Sequence, residues 1–180
     1  FIGLDGSFAP WVGALIPDLK QEILIVAPEG RAEETVKRLA RVGYDQAIGY
    51  LEGGFNAWKT YGGEIDQIET IDAATFEAIY QQDTGIKVLD VRKPNEWESE
   101  HIEQSQNFPL DFINRQMSEV SRDTTYYLHC RSGYRSTVAA SILKARGFEN
   151  LINVQGKFDD MAASSIPMTA FVCPSTLVEN

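Results

Sequence analysis

This sequence has little from which to build a covalent or metal-stapled scaffold. Two cysteines, Cys130 and Cys173, in 180 residues are too few for a disulfide framework. There is no CxxC, and the only histidines are His101 and His129. A metal site has little to build on, and no cofactor is expected. Positive charge is also scarce, with 16 Lys and Arg against 26 Asp and Glu for a net charge of −10. Nucleic acid is therefore not an expected partner, since it would need a basic face. No apolar run approaches the length of about 18 residues that spans a bilayer, so no membrane partner is expected either. The opening residues Phe1-Ile2-Gly3-Leu4-Asp5 lack the basic and long apolar regions of a signal peptide. They also lack an initiator Met and read as the middle of a strand, so we expect a fragment of a longer polypeptide.

What is present is ordinary for a globular protein, 43% hydrophobic and 23% charged, and long enough for one large or two small domains. One stretch organises the chain. Tyr126 to His129 is a short aromatic and apolar run, which reads as a buried strand. Thr137 to Arg146 has apolar residues at 138, 139, 142, 143 and 145, which reads as a helix packed on one face, and Gly147 follows as a stop signal. Between them lie Cys130-Arg131-Ser132-Gly133-Tyr134-Arg135-Ser136. A strand that ends in Cys and turns tightly into a helix points backbone N–H groups at the sulfur, with the positive end of the helix dipole behind them. These groups and the two guanidiniums favour a thiolate. A lone Cys at a strand end is more often a small buried hydrophobe. Such a residue, however, has no need of Arg, Ser, Gly and Arg in the next five positions. The stretch reads as a nucleophile in an anion cradle, best kept in a reducing compartment, and the cytoplasm is expected.

This loop resembles the active-site loop of the rhodanese family of sulfurtransferases. Val88-Leu89-Asp90-Val91-Arg92 with Glu96-Trp97 resembles the family's first-strand motif, and His101-Ile102 followed by Asn107-Phe108-Pro109-Leu110 its second. The resemblance covers about residues 68 to 170. It departs at one turn: the family often has Gly before the His and Pro-Gly after the Ile, where this chain has Glu100, Glu103 and Gln104. The resemblance implies a sulfurtransferase in which Cys130 takes a sulfane sulfur from thiosulfate or a thiol persulfide. Cys130 would hold it as a persulfide and pass it to a nucleophilic acceptor, a thiol or cyanide. Arg131 and Arg135 would hold the anionic donor, with Ser132, Gly133, Tyr134 and Ser136 completing the substrate-binding loop. Two alternatives stay open. One is a sulfur-carrier or docking module of a persulfide dioxygenase fusion. The other, a phosphatase of the same fold, typically has Cys-x5-Arg where this chain has Cys130-x4-Arg135.

The first third reads as a broken copy of the same pattern. Ile23 to Tyr44 lies without gaps on Tyr127 to Phe148, placing Leu24 on Leu128, Arg31 on Arg135, Leu39 on Leu143, Gly43 on Gly147 and Tyr44 on Phe148. Val26 then stands where Cys130 does, followed by Ala27-Pro28-Glu29-Gly30-Arg31. Valine is no nucleophile, Glu29 would repel an anion, and Pro28 removes a backbone donor. We expect residues 1–65 to be a partial, catalytically inactive rhodanese-like domain and residues 66–180 the complete active one. The partial copy would be completed by missing residues, by packing on the second domain, or by a partner chain such as a homodimer. Leu4 to Trp11 resembles the inactive copy found behind a metallo-β-lactamase-type persulfide dioxygenase domain, so such an N-terminal domain is expected in the full-length chain.

The fold class expected is α/β: a rhodanese-like parallel sheet flanked by helices, one complete domain plus a partial copy. Gly62 to Gln67 reads as the linker. Asp72 reads as the N-cap of a helix through Gln81, and Ile86 to Val91 as a buried strand. A short helix is expected over Pro94 to Ser99, a strand over Gln106 to Pro109, a helix over Phe112 to Val120 and a strand over Leu151 to Asn153. Phe158 to Ala163 reads as a final helix. Asp90 and Arg92 read as a buried ion pair, His129 as a core histidine facing away from Cys130, and His101 as a brace. Trp58 and Trp97 read as core or domain-packing residues. Cys173 reads as a surface thiol in a tail of little periodicity.

Overall fold

The computed structural model describes residues 1–177. The chain divides into two compact units, Ile2–Gln67 and the part from Ile68 onward. The first carries α1 (Phe8–Leu15), β1 (Ile23–Ile25), α2 (Ala32–Ala40), β2 (Ala47–Tyr50) and α3 (Gly54–Tyr61). Its two strands pair in parallel, with Ile25 opposite Tyr50. A small core of Phe8, Val12, Ile25, Leu39 and Tyr44 holds the unit together, while Leu24, Val26, Ile48 and Tyr50 are exposed. The opening residues 1–3 belong to no strand, contrary to the sequence reading. Of the two roles expected of Trp58, core and domain packing, the core role does not hold. Trp58 is 40% exposed, because α3 buries only Gly54, and its indole N–H donates to the Glu64 carbonyl at 2.8 Å.

The second unit carries β3 (Glu69–Asp72), α4 (Ala73–Gln82), β4 (Lys87–Asp90), α5 (Pro94–Ser99), β5 (Gln106–Asn107), α6 (Ile113–Gln116), β6 (Tyr126–His129), α7 (Tyr134–Ala145), β7 (Leu151–Gln155) and α8 (Phe158–Ala162). The five strands form one sheet in the order β3-β7-β6-β4-β5, every neighbouring pair parallel. This is an α/β fold with a parallel sheet flanked by helices, the class expected. The crossovers are helical because parallel neighbours need a long connection. No helix among the described residues is long and apolar enough to cross a membrane.

The apolar pattern explains which strands are central. β6 lies between β4 and β7, with Leu128 paired to Leu89 and Asn153, and Leu128 and Leu89 are both fully buried. Successive side chains alternate between faces. Tyr127 meets the Phe76 ring of α4, with centroids 5.6 Å apart. His129 stacks near the Phe158 ring of α8 at 6.0 Å. Leu128 faces the other way, and α7 packs against β6 and β7 through Val138, Ala139, Ala140 and Leu143. Cys130, next after His129, continues the side of Leu128.

β3 was missed by the sequence reading, which ran the linker straight into the Asp72 cap. Its residues are mostly exposed because it is an edge strand paired only with β7. Asp72 does cap α4, its Oδ1 accepting the Thr75 N–H at 2.7 Å. The expected helix over Phe112 to Val120 breaks into α6 between two short 3₁₀ turns, Leu110–Phe112 and Met117–Glu119. Of α6 only Ile113 is buried, too little packing to hold a longer helix. At the turn where the family's glycine is absent, Gln104 adopts the left-handed region at φ 66, a strained setting for a side chain. The Ser105 N–H still closes the turn on the Ile102 carbonyl at 3.0 Å. The tail also has more order than its sequence suggests. Val172 exchanges two hydrogen bonds with Ser99, and a 3₁₀ turn spans Pro174–Thr176. Cys173 is exposed.

Candidate active site

The sequence turns sharply at the end of β6 because Gly133 takes φ 90, ψ −21, a left-handed conformation that a side chain resists. That glycine is the N-cap of α7, which begins at Tyr134, three residues earlier than the periodicity suggests. The turn folds the Gly133 N–H back onto the Cys130 sulfur at 3.2 Å. A twelve-residue helix starts at this point, so its positive end lies beside the sulfur. Cys130 is 2% exposed, where an N–H donor and a helix dipole act with little screening.

The loop is braced from within. The hydroxyls of Ser136 and Thr137 both donate to the Gly133 carbonyl, at 3.0 and 2.8 Å. Asn153 of β7 donates to the Thr137 hydroxyl at 3.2 Å. The Phe158 N–H, at the start of α8, donates to the Arg131 carbonyl at 3.0 Å. Ser136 is fully buried, and its hydroxyl holds the Gly133 carbonyl in place.

The two arginines differ. Arg131 points outward, its side chain 60% exposed and 3.5 Å from Asp159. Arg135 is largely buried and forked onto Glu96 of α5, with contacts of 2.5 Å to Oε2 and 2.9 Å to Oε1. Burial works against the Glu96 carboxylate. The hydrogen bonds and charge of Arg135 outweigh it and hold the carboxyl below its usual range. Burial likewise opposes the charge on Arg135, and Glu96 more than restores it. Ser132 is exposed and Tyr134 half-buried at the loop crest. The structure thus gathers Cys130, Gly133 and Ser136 into one cradle, places Arg131 and Ser132 on its rim, and ties Arg135 to its wall.

Behind the cradle sits the buried pair expected from sequence. Arg92 Nη2 donates to Asp90 Oδ2 at 2.6 Å, and Arg92 Nε donates to the same oxygen at 2.9 Å. The guanidinium carbon lies 3.6 Å from the centre of the Phe158 ring, a cation–π contact. His129 Nε2 is 3.7 Å from Asp90 Oδ2. Burial pushes the His129 imidazolium below the ordinary histidine range despite the attraction of Asp90, so its ring packs as a neutral group. Burial also opposes the Asp90 carboxylate, but the hydrogen bonds and charge of Arg92 hold it below the usual range. His101 braces α5 as expected, its Nδ1 2.7 Å from the Trp97 carbonyl and its ring stacked on Trp97 at 3.7 Å. No cluster of three or more metal-ligating side chains occurs among the described residues.

Sequence reasoning missed the Glu96 to Arg135 clamp, the Thr137 brace and the tie from Phe158. Glu96 was in view only as part of a motif. Nothing local in the sequence joins it to a residue 39 positions away.

Comparison with known proteins agrees with this fold. A family model described as Rhodanese-like domain matches residues 72–164. The chain is similar to the Putative sulfur carrier protein YrkF of Bacillus subtilis, 33% identical over 98 residues that cover 52% of this chain and 53% of that one. It is similar as well to the Probable adenylyltransferase/sulfurtransferase MoeZ of Mycobacterium tuberculosis, 36% identical over 78 residues, 41% of this chain and 20% of that one. The chain therefore spans about half the length of the first and a fifth of the second. Among solved structures, a rhodanese-related protein from Thermoplasma volcanium superimposes with a TM-score of 0.50 at 29% identity, covering 56% of this chain and 97% of that one. With just over half of its length inside the family model and the cysteine cradle at the end of the central strand, this chain belongs to the rhodanese-like domain family.

Proposed function

We propose that this protein moves sulfane sulfur through a persulfide on Cys130. The observation that carries the reading is the Gly133 N–H directed at the Cys130 sulfur at 3.2 Å, at the head of α7. The names of the relatives, a sulfur carrier and a sulfurtransferase, support a general sulfurtransferase role. In the proposed step the Cys130 thiolate attacks the outer sulfur of the donor. The bond from Sγ to that sulfur forms, and the donor's own sulfur–sulfur bond breaks. The bonding pair leaves on sulfite from thiosulfate, or on a thiolate from a thiol persulfide. The loop N–H groups then face the new terminal sulfur anion. A nucleophilic acceptor, cyanide or a thiol, attacks that sulfur and returns Cys130 as a thiolate.

The second reading, a carrier that loads once and waits for a partner, draws on the relative named as a sulfur carrier. Turnover separates the two. With thiosulfate or a thiol persulfide as donor and cyanide as acceptor, an enzyme releases many equivalents of thiocyanate per chain, and Cys130→Ser releases none. A single equivalent per chain would favour the carrier. No thiocyanate at all, with a phosphate trapped on Cys130 from an aryl phosphate, would replace both readings by the phosphatase.

Within the same proposal, residues 1–65 are a partial and inactive copy. Supporting this, the order β1, α2, β2, α3 matches β6, α7, β7, α8. The left-handed glycines Gly43 and Gly147 fall in register, at φ 88 and φ 85, as do the buried rings Tyr44 and Phe148, each 3% exposed.

A further inference from the structure

We propose that Glu96 decides which sulfur donor the Cys130 cradle accepts, turning it away from thiosulfate and towards thiol persulfides of low charge. The inference rests on the sulfurtransferase reading and adds the substrate class. A loop with two arginines looks like a site for a strongly charged anion, but the charges around this one largely cancel. Arg135, the better buried of the two, already has both carboxylate oxygens of Glu96 on its guanidinium. Their side chains are 15% and 25% exposed, so the pairing is only weakly screened. Arg131 is open to water and has Asp159 at 3.5 Å. Lys157, Asp159 and Asp160 all lie at the start of α8, whose Phe158 N–H donates to the Arg131 carbonyl, so the charges added there do not tip the balance to positive. With the attacking sulfur as a thiolate, no net positive charge is left to receive a dianion.

The two donors differ in what that environment must tolerate. Thiosulfate arrives as a dianion, and when its sulfur–sulfur bond breaks the pair leaves on sulfite, again a dianion. Cysteine persulfide arrives with its ammonium and carboxylate cancelling and at most one negative charge on sulfur. Its leaving group is a thiolate that water or solvent protonates. The backbone donor at Gly133 serves the transferred sulfur in both cases. The donors are therefore separated by charge at the cradle, where Arg135 would act if it were released. Glu96 touches neither sulfur nor donor and acts through Arg135, which makes it a positioning residue.

The experiment is a comparison of kcat/KM for thiosulfate and for cysteine persulfide, with cyanide as acceptor and thiocyanate as readout, in the wild type, Glu96→Gln and Glu96→Asp. The wild type is expected to favour cysteine persulfide by about tenfold or more, and Glu96→Gln to shift the ratio towards thiosulfate by about tenfold, as one uncancelled charge near the donor would. Glu96→Asp keeps the carboxylate and should keep the wild-type preference. If Glu96→Gln lowers both donors by the same factor, its role is structural and the inference is overturned. A wild type that favours thiosulfate overturns it without any variant. No thiocyanate from either donor in the wild type overturns the sulfurtransferase reading beneath it instead.

Discussion

The stretch from Ile23 to Tyr44 and the stretch from Tyr127 to Phe148 share a strand, a helix and a closing left-handed glycine, yet only the second builds a cradle. Three differences account for it. The strand β6 has neighbours on both edges, whereas among the described residues β1 is paired only with β2. Consequently Leu128 is fully buried and Leu24 is 73% exposed. At the strand end, Cys130 is 2% exposed and Val26 60%. In the turn, Gly133 caps a helix that begins at once, while α2 waits until Ala32, capped by Arg31 without a side-chain hydrogen bond. Pro28 contributes no N–H in between. A reactive thiol in this fold therefore needs more than a cysteine. It needs a buried strand to fix the sulfur, a left-handed residue to aim an N–H, and a helix that starts on the spot.

The largest effect that could break this comparison is chemical. Moving the thiol across, as Val26→Cys in a Cys130→Ser background, should give persulfide loading slower by about a hundredfold than at Cys130, since the aimed donor is lost. Loading followed by release of thiocyanate on adding cyanide measures it, and equal rates would mean the cradle contributes nothing. The next effect is on stability. Leu128→Ala should cost about 2–5 kcal/mol by urea unfolding, as a fully buried leucine does, and Leu24→Ala no more than about 0.5 kcal/mol, as an exposed one does.

A smaller contrast lies in the glycines. Gly133→Ala meets both the left-handed backbone and the Gln155 side chain, 3.2 Å from the added carbon. At Gly30, with φ 78, the carbon meets nothing within 4 Å. Both should pay the backbone strain of about 1 kcal/mol, but only Gly133→Ala should also slow loading of the sulfur.

The smallest effect concerns the matched arginines. Glu96 is held below its ordinary value of 4.5 by Arg135. The pair therefore contributes stability that is fully present above that value and is lost as pH falls through the lower folded value. Urea midpoints of wild type and Glu96→Gln should differ at neutral pH and converge in acid. Arg31 falls in register with Arg135 and pairs with Asp5, whose side chain is 82% exposed. Asp5→Asn should shift the midpoint at neither pH.

Much of the second unit was legible because its signals are local. The run Tyr126 to His129, the cap at Asp72 and the proline-led helix Pro94–Ser99 each announce themselves within a few residues. The cysteine loop was legible for the same reason, its glycine, serines and arginines lying within seven positions. What escaped depends on partners distant in sequence. β3 has no apolar alternation because an edge strand does not need one, and only its pairing with β7 makes it a strand. The helix expected at Phe112 to Val120 breaks for want of a packing surface. Trp58 reads from sequence as core or domain packing because it is large and apolar, but it is 40% exposed and lies outside the apolar core of its unit. The pairing of Arg135 with Glu96 changes the meaning of an arginine that the loop alone presents as a free anion ligand.

The central proposal is that Cys130 carries the sulfur. The most direct test is intact mass of the wild type and of Cys130→Ser after exposure to cysteine persulfide and to thiosulfate. The predicted result is a gain of one sulfur in the wild type alone, removed by cyanide. No gain in the wild type, or an equal gain in Cys130→Ser carried by the exposed Cys173, would contradict it.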